Sequence, residues 1–385
     1  MIEIAFDLYR GFQCASSECP YTCCAGWSVA LDEETDRFYQ SCAGELGEYI
    51  NRNIQRENGT AVMILRENGR CPMLDENNLC RIQLAYGPDR LSTVCRLFPR
   101  LAVLDDGLKM NYLQLSCPEA ARMVLTHRES MRILRHEAPD PPGRAAGEAE
   151  LCALRREAFF AALRIIQDRE CDIVQRQRLF LLMSQAVQNA IREQDYNQAD
   201  KLLALFRTPE EYRRILRDDN IRTEASDKIH FLNSLRGSCL SGEGASSVEY
   251  HTIYTRAMQY ILNQDANLIG FVAYLKKARE ERQQNELENL LSALLPGHYL
   301  SSFAGHDLYI QAAYVLFLAQ LYRAISAMLY AGGSEQEREI SKPLLVSYIY
   351  RYFCHTTDEE NNVRIVEALR DKRLTDMDYL FRLVG

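Results

Sequence analysis

Cysteine carries the most legible chemistry in this chain of 385 residues, because its thirteen cysteines are unevenly spread. Nine lie at or before Cys117, whereas Cys152, Cys171, Cys239 and Cys354 are scattered singly over everything that follows. Cys14, Cys19, Cys23 and Cys24 form C-x4-C-x3-C-C, and Cys71, Cys80, Cys95 and Cys117 continue as C-x8-C-x14-C-x21-C. Zinc and iron–sulfur clusters each take four thiolates from loops that bend several sulfurs toward one point. The first four cysteines sit in such a segment, flanked by Gly11, Pro20 and Gly26. These eight are therefore the candidate metal ligands. Adjacent Cys23 and Cys24 point in different directions on most backbones, so about four to six of the eight are expected to ligate. Cys42, Cys152, Cys171, Cys239 and Cys354 read as small apolar residues that fill cores.

Two features next to the thiols bear on their charge. Ser116-Cys117-Pro118-Glu119 matches a capping box with Ser116 as N-cap, which places Cys117 in the first turn of a helix running to about Thr126. There the helix dipole is expected to lower its thiol pKa. Cys95-Arg96-Leu97-Phe98-Pro99-Arg100 sets Arg96 and Arg100 beside a cysteine, where they could offset thiolate charge or clamp a carboxylate of a bound cofactor. Gly297-His298-Tyr299 and Gly305-His306-Asp307 offer loop histidines as a base or ligand. The many tyrosines of the C-terminal region read as core packing.

The elements that must position these residues follow from composition. An apolar share of 47% in a chain this long fills two ordinary cores without cross-links, so the cysteines are not needed as staples. The N-terminus, Met-Ile-Glu-Ile-Ala-Phe-Asp, carries acids where a secretory leader carries Lys or Arg. A cytoplasmic, reducing setting is expected, in which thiols stay free or bind metal. A formal charge of −8 argues against nucleic acid as a partner. The apolar stretch from Leu308 to Tyr322 falls short of the roughly 20 residues that cross a bilayer and is closed by Arg323, so a buried helix is expected, with no membrane partner.

The segment 137–150 holds three prolines and two glycines, which forbid a continuous helix. It is read as a linker between a cysteine-rich metal-cluster domain, 1–136, and a helical domain, 151–385. In the first region, Asp32 to Ile54 has near-helical apolar spacing. Ala61 to Leu65 reads as a strand that Asn68-Gly69 turns into a hairpin, and Leu101–Leu104 with Leu108–Leu115 reads as a second hairpin through Asp105-Asp106-Gly107. Beyond Leu151, helices are expected at Leu151–Gln167, Arg176–Glu193, Tyr250–Leu262, Ala273–Leu295 and Leu308–Leu329. The fold class is mainly α: a metal-binding N-terminal region of short hairpins and helices, then an all-helical domain.

Four stretches resemble one family. Cys19-Pro20-Tyr21-Thr22-Cys23-Cys24-Ala25-Gly26-Trp27, Gly69-Arg70-Cys71-Pro72-Met73-Leu74 with Leu79-Cys80, the Cys95–Arg100 run and Ser116-Cys117-Pro118-Glu119-Ala120-Ala121-Arg122 look like the signature of flagellin lysine-N-methylases. The resemblance spans roughly residues 11 to 125. The Cys-Cys pair and the Cys-Arg-x-x-Pro element are also similar, more loosely, to zinc- or iron-chelating cysteine-rich proteins. The family resemblance implies S-adenosylmethionine as methyl donor, an iron–sulfur cluster, of the 4Fe-4S kind, on the eight cysteines, and flagellin lysines as acceptors. Zinc is the alternative metal, and a redox-active cluster would require an electron donor. No catalytic residue in the helical part is assigned by it.

Direct methyl displacement needs a neutral amine aligned with the sulfonium carbon. Enzymes of that kind commonly bind the donor with a glycine-rich turn after a strand, which this sequence lacks, Gly242-Glu243-Gly244 lying in a polar segment. Radical enzymes that cleave the same donor usually present C-x3-C-x2-C. Here Cys19 and Cys23 have the first spacing, but Gly26 stands at the third position, so a catalytic cluster would draw its ligands from elsewhere, for example Cys71, Cys80, Cys95 and Cys117. A cluster that only supplies folding free energy explains the cysteines equally well. Two other readings stand beside the enzyme: a non-catalytic metal-binding adaptor or chaperone for flagellin or another client, and a thiol redox sensor.

Overall fold

A computed structural model of the chain describes residues 1–19, 22–25, 28–57, 59–105, 107–137, 149–215, 227, 230, 231, 255, 281–301, 307–332, 335–354 and 366–384. The linker at 138–148, the helix expected at Tyr250–Leu262 and the Gly242–Gly244 segment lie outside the described residues.

The chain opens on β1 (Ile2–Phe6), whose alternation turns Ile4 and Phe6 into the core. A short helix α1 (Asp7–Gly11) leads into the first cysteines. Next come β2 (Val29–Leu31), α2 (Glu33–Ser41), α3 (Gly44–Arg52), β3 (Ile54–Glu57), β4 (Thr60–Met63), α4 (Arg81–Tyr86) and α5 (Thr93–Leu97). Then follow β5 (Arg100–Asp105), β6 (Leu108–Leu113), α6 (Pro118–Thr126) and β7 (Ile133–Glu137). Two sheets result. One has the order β5-β6-β1-β7, with β1 parallel to β6 and antiparallel to β7; the other has the order β2-β4-β3. Helices supply the rest: α7 (Ala149–Ile166), α8 (Ile173–Arg192), α9 (Tyr196–Arg207), α10 (Pro209–Ile215), α11 (Glu281–Leu295), α12 (Leu308–Gly332), α13 (Glu335–Cys354) and α14 (Met377–Val384). Among the described residues the architecture is mainly α, with the strands in the cysteine-rich part, as expected.

The hairpin expected over 101–115 forms as β5 and β6, turning at Gly107, whose φ of 75° suits a residue without Cβ. The other hairpin forms differently. β4 pairs with β3 on its N-terminal side, through a turn at Gly59 (φ 79°), rather than with a strand beyond Asn68-Gly69. Asn68-Gly69 still makes a tight turn, in which Gly69 N–H donates to the Arg66 carbonyl at 2.8 Å, and its purpose is to aim Cys71. The apolar period over 32–54 becomes two helices, because the chain breaks at Cys42 and Ala43.

One continuous core joins the larger sheet to the helices. Ile4, Phe6, Leu108 and Met110 of the sheet and Ala121, Val124 and Leu125 of α6 pack in the same apolar body as α7, α8, α11, α12 and α13. A smaller core around Tyr39, Ile50, Met63, Met73 and Ile82 lies under the second sheet and α2–α4. At the centre runs α12, long and apolar enough to cross a membrane, but 94% of its apolar window is buried inside the protein, as expected of a core helix. Arg323, which closes that stretch, donates to the Val384 carbonyl at 3.1 Å, and Arg178 reaches the Phe381 carbonyl at 2.8 Å. Two buried arginines thus satisfy carbonyls that end α14 and would otherwise lack donors.

A buried ion cluster ties α8 to α11 and to the loop before β7. The Glu288 carboxylate, fully enclosed, accepts from Arg176 Nη1 at 2.7 Å, Arg169 Nε at 3.0 Å and Ser130 Oγ at 2.6 Å. Removing the carboxylate would strand the buried Arg176 guanidinium. Glu288→Ala is therefore expected to cost about 3–5 kcal/mol, read by urea unfolding at pH 7. A loss under about 1 kcal/mol would show that the cluster contributes no more than a surface pair.

Candidate metal centre

The local chain around most of the clustered cysteines turns back so that backbone N–H groups face the sulfur. Ser16 N–H donates to Cys14 Sγ at 3.4 Å. The N–H groups of Met73 near Cys71, of Ile82 and Gln83 near Cys80, and of Glu119 and Ala120 near Cys117 lower the thiol pKa of each. Cys80 and Cys117 are the N-cap residues of α4 and α6, although neither side chain closes a cap hydrogen bond. Cys95 lies in the first turn of α5, where the Ser92 hydroxyl accepts from its N–H at 3.3 Å and also bonds its thiol. Donors aimed at sulfur favour the thiolate over the thiol.

Seven of the eight sulfurs share one neighbourhood. Charge at Cys80 and Cys95 is felt at Cys71, charge at Cys23 is felt at Cys80, Cys95 and Cys117, and charge at Cys19 is felt at Cys117. Cys23 is hydrogen-bonded to Cys24. The backbone brings the two halves of the motif together: Cys71 N–H donates to the Cys24 carbonyl at 2.7 Å, and Ala25 bridges Arg70 in antiparallel fashion. Cys14 is exposed, and among the described contacts none ties it to the other seven.

Burial governs their protonation. It pushes Cys71 up to about 11 and Cys117 up to about 12. Cys95 opens to solvent on one side, yet the protein around it raises it to about 11. Cys80 is raised by the same cause, and Cys23 first by its bond to Cys24 and then by burial. The lowering expected for Cys117 is thus outweighed. Desolvation exceeds the help from the α6 N-terminus, and the cap is Cys117 itself, with Pro118 at the first helical position, instead of Ser116. Left to the protein alone, these sulfurs stay protonated; a bound cation reverses that balance, because metal coordination deprotonates thiols outright.

The donor set fits such a cation by chemistry: soft sulfur, most of it supported by N–H donors, with one carboxylate, Asp75, close enough to be felt at Cys80. Among the described residues no three Cys, His, Asp or Glu side chains already stand in ligating geometry. Ligation therefore requires the sulfurs to draw together from their present neighbourhood.

The two arginines singled out by sequence take different places. Arg100 Nη2 donates to the Phe12 carbonyl at 2.8 Å, and its guanidinium lies 5.0 Å from the Phe12 ring centroid, so it pins the chain entering Cys14 against β5. Arg96 is exposed on α5 beside Cys95. A third arginine went unnoticed in the sequence. Arg351 of α13 is buried, donates from Nε to the Ser116 carbonyl at 2.9 Å, and its charge favours the Cys23 thiolate. Ser347, one turn earlier, donates to the same carbonyl at 2.7 Å. The available signal was an arginine set inside the aromatic run Tyr348-Ile349-Tyr350-Arg351-Tyr352-Phe353, where a charge needs a partner.

His298 is buried beside the rings of Tyr314 and Tyr350, and burial lowers it to about 3, so it is neutral and lies in the helical core. His306 lies outside the described residues. Buried Tyr299 and Tyr314 hydrogen-bond Ser184 Oγ at 2.9 Å and the Phe353 carbonyl at 2.7 Å, which is core packing as expected.

Comparison with known proteins decides the kinship. Residues 160–383 match the FliB lysine N-methylase C-terminal domain, over half the chain. The chain belongs to that family. The match falls on the helical part, complementing the cysteine motifs that carried the resemblance. Among curated proteins, the chain is 31% identical over 135 residues to the flagellar biosynthetic protein FliU of Salmonella muenchen, covering 32% of this chain and 76% of that protein. It is 30% identical over 135 residues to the lysine-N-methylases of Salmonella typhimurium and Salmonella choleraesuis, covering 32% of this chain and 32% of each. The chain thus spans about a third of the length of those two FliB-type methylases. No solved structure matches.

In this family member the loop that carries Cys95 is set by Asp32. As N-cap of α2 its carboxylate accepts from Thr35 N–H at 3.0 Å, and its second oxygen accepts from Thr93 N–H at 2.9 Å, at the start of α5. Those bonds, Thr93 first, hold its carboxyl well below the usual range. A depressed folded value means that the stabilisation is complete above the unfolded value, about 4, and fades as pH falls through the folded one. Asp32→Ala is expected to lose about 1–2 kcal/mol at pH 7. The gap from the parent should narrow when unfolding is repeated near pH 3, and a gap independent of pH would refute the assignment.

Proposed function

We propose that this protein is a lysine N-methyltransferase that moves methyl groups from S-adenosylmethionine to lysine side chains of flagellin, with an iron–sulfur cluster, of the 4Fe-4S kind, on its N-terminal cysteines. The observation that carries the reading is the joint presence of the FliB methylase domain over residues 160–383 and seven converging thiols ahead of it. Two curated relatives are called lysine-N-methylase and a third is called a flagellar biosynthetic protein, which supports both the reaction and the flagellar substrate.

In the transfer, the lysine nitrogen must first lose its proton so that a lone pair faces the methyl carbon. The N–C bond forms as the C–S bond breaks, the departing sulfur keeps the electron pair, and one proton leaves the product ammonium. The chain's own part is to bind both partners dry and in line. Cys23, Cys71, Cys80 and Cys95, with Cys19 and Cys117 beside them, would hold the cluster. When bound, it supplies folding free energy or, as a redox group with an electron donor, one-electron chemistry. The cytoplasm suits this reading, since thiols stay reduced there and flagellin is met before export.

The test is incubation of the anaerobically purified protein with S-adenosylmethionine and purified flagellin, read by mass spectrometry, with iron, sulfide and zinc analysis of the same preparation. Methyl-sized mass shifts on flagellin lysines and stoichiometric iron and sulfide are expected. Cys71→Ser, Cys80→Ser and Cys95→Ser should each lose metal, while Cys152→Ser should keep it. Binding of flagellin with no methyl gained would instead make the protein an adaptor, and zinc without sulfide would replace the cluster.

A further inference from the structure

One of the buried polar links between the cysteine region and the helices is the Ser116 carbonyl. Ser116 O accepts from Ser347 Oγ at 2.7 Å and from Arg351 Nε at 2.9 Å, and all three residues are buried. Ser347 and Arg351 are four residues apart on α13, hence on one face. The residue after Ser116 is Cys117, the N-cap of α6, and α6 packs along α13 and α11. A guanidinium from the helical part is therefore fixed within one peptide unit of a clustered cysteine, Cys117.

From this geometry we propose that Arg351 is a positioning residue for the metal centre: held by the Ser116 carbonyl, its guanidinium offsets the negative charge of the loaded thiolate site and links metal occupancy to the packing of α6 on α13. The inference rests on the metal reading given above. Four thiolates around a divalent ion, or around a cluster core of the same charge, leave a net charge of about −2. Beside Cys117, the one buried thiol of the cluster, a fixed cation acts more strongly than it would at the surface. An arginine here also remains charged at every accessible pH and keeps its planar donors in place, which suits a permanent counter-charge.

Charge and hydrogen bonding can be separated. Arg351→Gln keeps a donor for Ser116 and removes the charge, whereas Arg351→Lys keeps the charge. The full chain and both variants are purified anaerobically, checked for fold by circular dichroism, and compared for metal content, for the rate of metal loss to a chelator and, where the absorption spectrum shows an iron–sulfur cluster, for midpoint potential. Arg351→Gln is expected to lose metal roughly tenfold faster, as outer-shell partners of metal sites do. Its cluster potential should become more negative, because removing a positive charge favours the oxidised form. Arg351→Lys should stay close to the parent in both. Parent-like metal retention and potential in Arg351→Gln would overturn the inference, as would equal failure of both variants to fold, which would make the residue structural. Loss of folded protein in Arg351→Gln alone would support it. A parent protein without metal would overturn the functional reading first, and is told apart because it appears before any substitution is made.

Discussion

Sulfur anions repel one another, and seven cysteine side chains in one neighbourhood can be tolerated only if something holds their charge in check. Without a cation, burial does so for Cys71, Cys95 and Cys117 by keeping them protonated, at about 11 to 12. The same burial becomes costly once they ionise, so the rest of the region is arranged to favour thiolate without producing it. Short helices begin at Cys80 and Cys117, and their first N–H groups, without closing a cap hydrogen bond, favour the thiolates. The turn at Asn68-Gly69 brings Cys71 to the Cys24 carbonyl. Desolvation outweighs the donors at Cys71, Cys95 and Cys117, so their ionisation would need a bound cation, whose binding would add to the folding free energy.

Rigidity around those sulfurs comes from outside the cysteine motifs. Asp32 fixes the start of α5, Arg100 fixes the chain before Cys14, and Tyr39 donates from its hydroxyl to the Arg90 carbonyl at 2.9 Å, closing the loop that precedes Ser92. The larger sheet, though it belongs to the cysteine-rich part in sequence, shares its core with the helices. Cys117 follows directly from the last residues after β6 and opens α6, so it stands where the sheet, the helices and the thiols meet.

How much of this is legible in the sequence depends on the range of the interaction. Period and punctuation reveal α7, α8, α12 and the β5–β6 hairpin, since each is decided within a few residues by apolar spacing, caps or Gly107. The pairing of β4 was misjudged because a strand does not say which neighbour it will take; the turn at Gly59 competes with Asn68-Gly69, and packing against Ile54 and Met63 decides. β1 and β7 are not legible locally, because each is a five-residue strand whose partners lie more than a hundred residues away in sequence. The thiols as a set could be read, because clustering of a rare reactive residue is itself the signal. Arg351 could not, being 235 residues from the carbonyl it serves.

That separation also explains where kinship shows. The FliB domain match covers the helical part, whereas the motifs that bear recognisable chemistry lie before it, so neither half describes the reaction alone. Among the described residues the strands do not form the doubly wound parallel sheet with a glycine-rich turn that commonly cradles the methyl donor; β1 and β6 are the one parallel pair. A small apolar cavity beside Ser116 is lined by Leu115, by Leu290 and Leu294 of α11, by Tyr322 of α12 and by Val346, Ile349 and Tyr350 of α13. The cavity and the thiol neighbourhood meet at Ser116, whose carbonyl Ser347 and Arg351 hold, so the cysteine motifs and the FliB domain adjoin at that point of the structure.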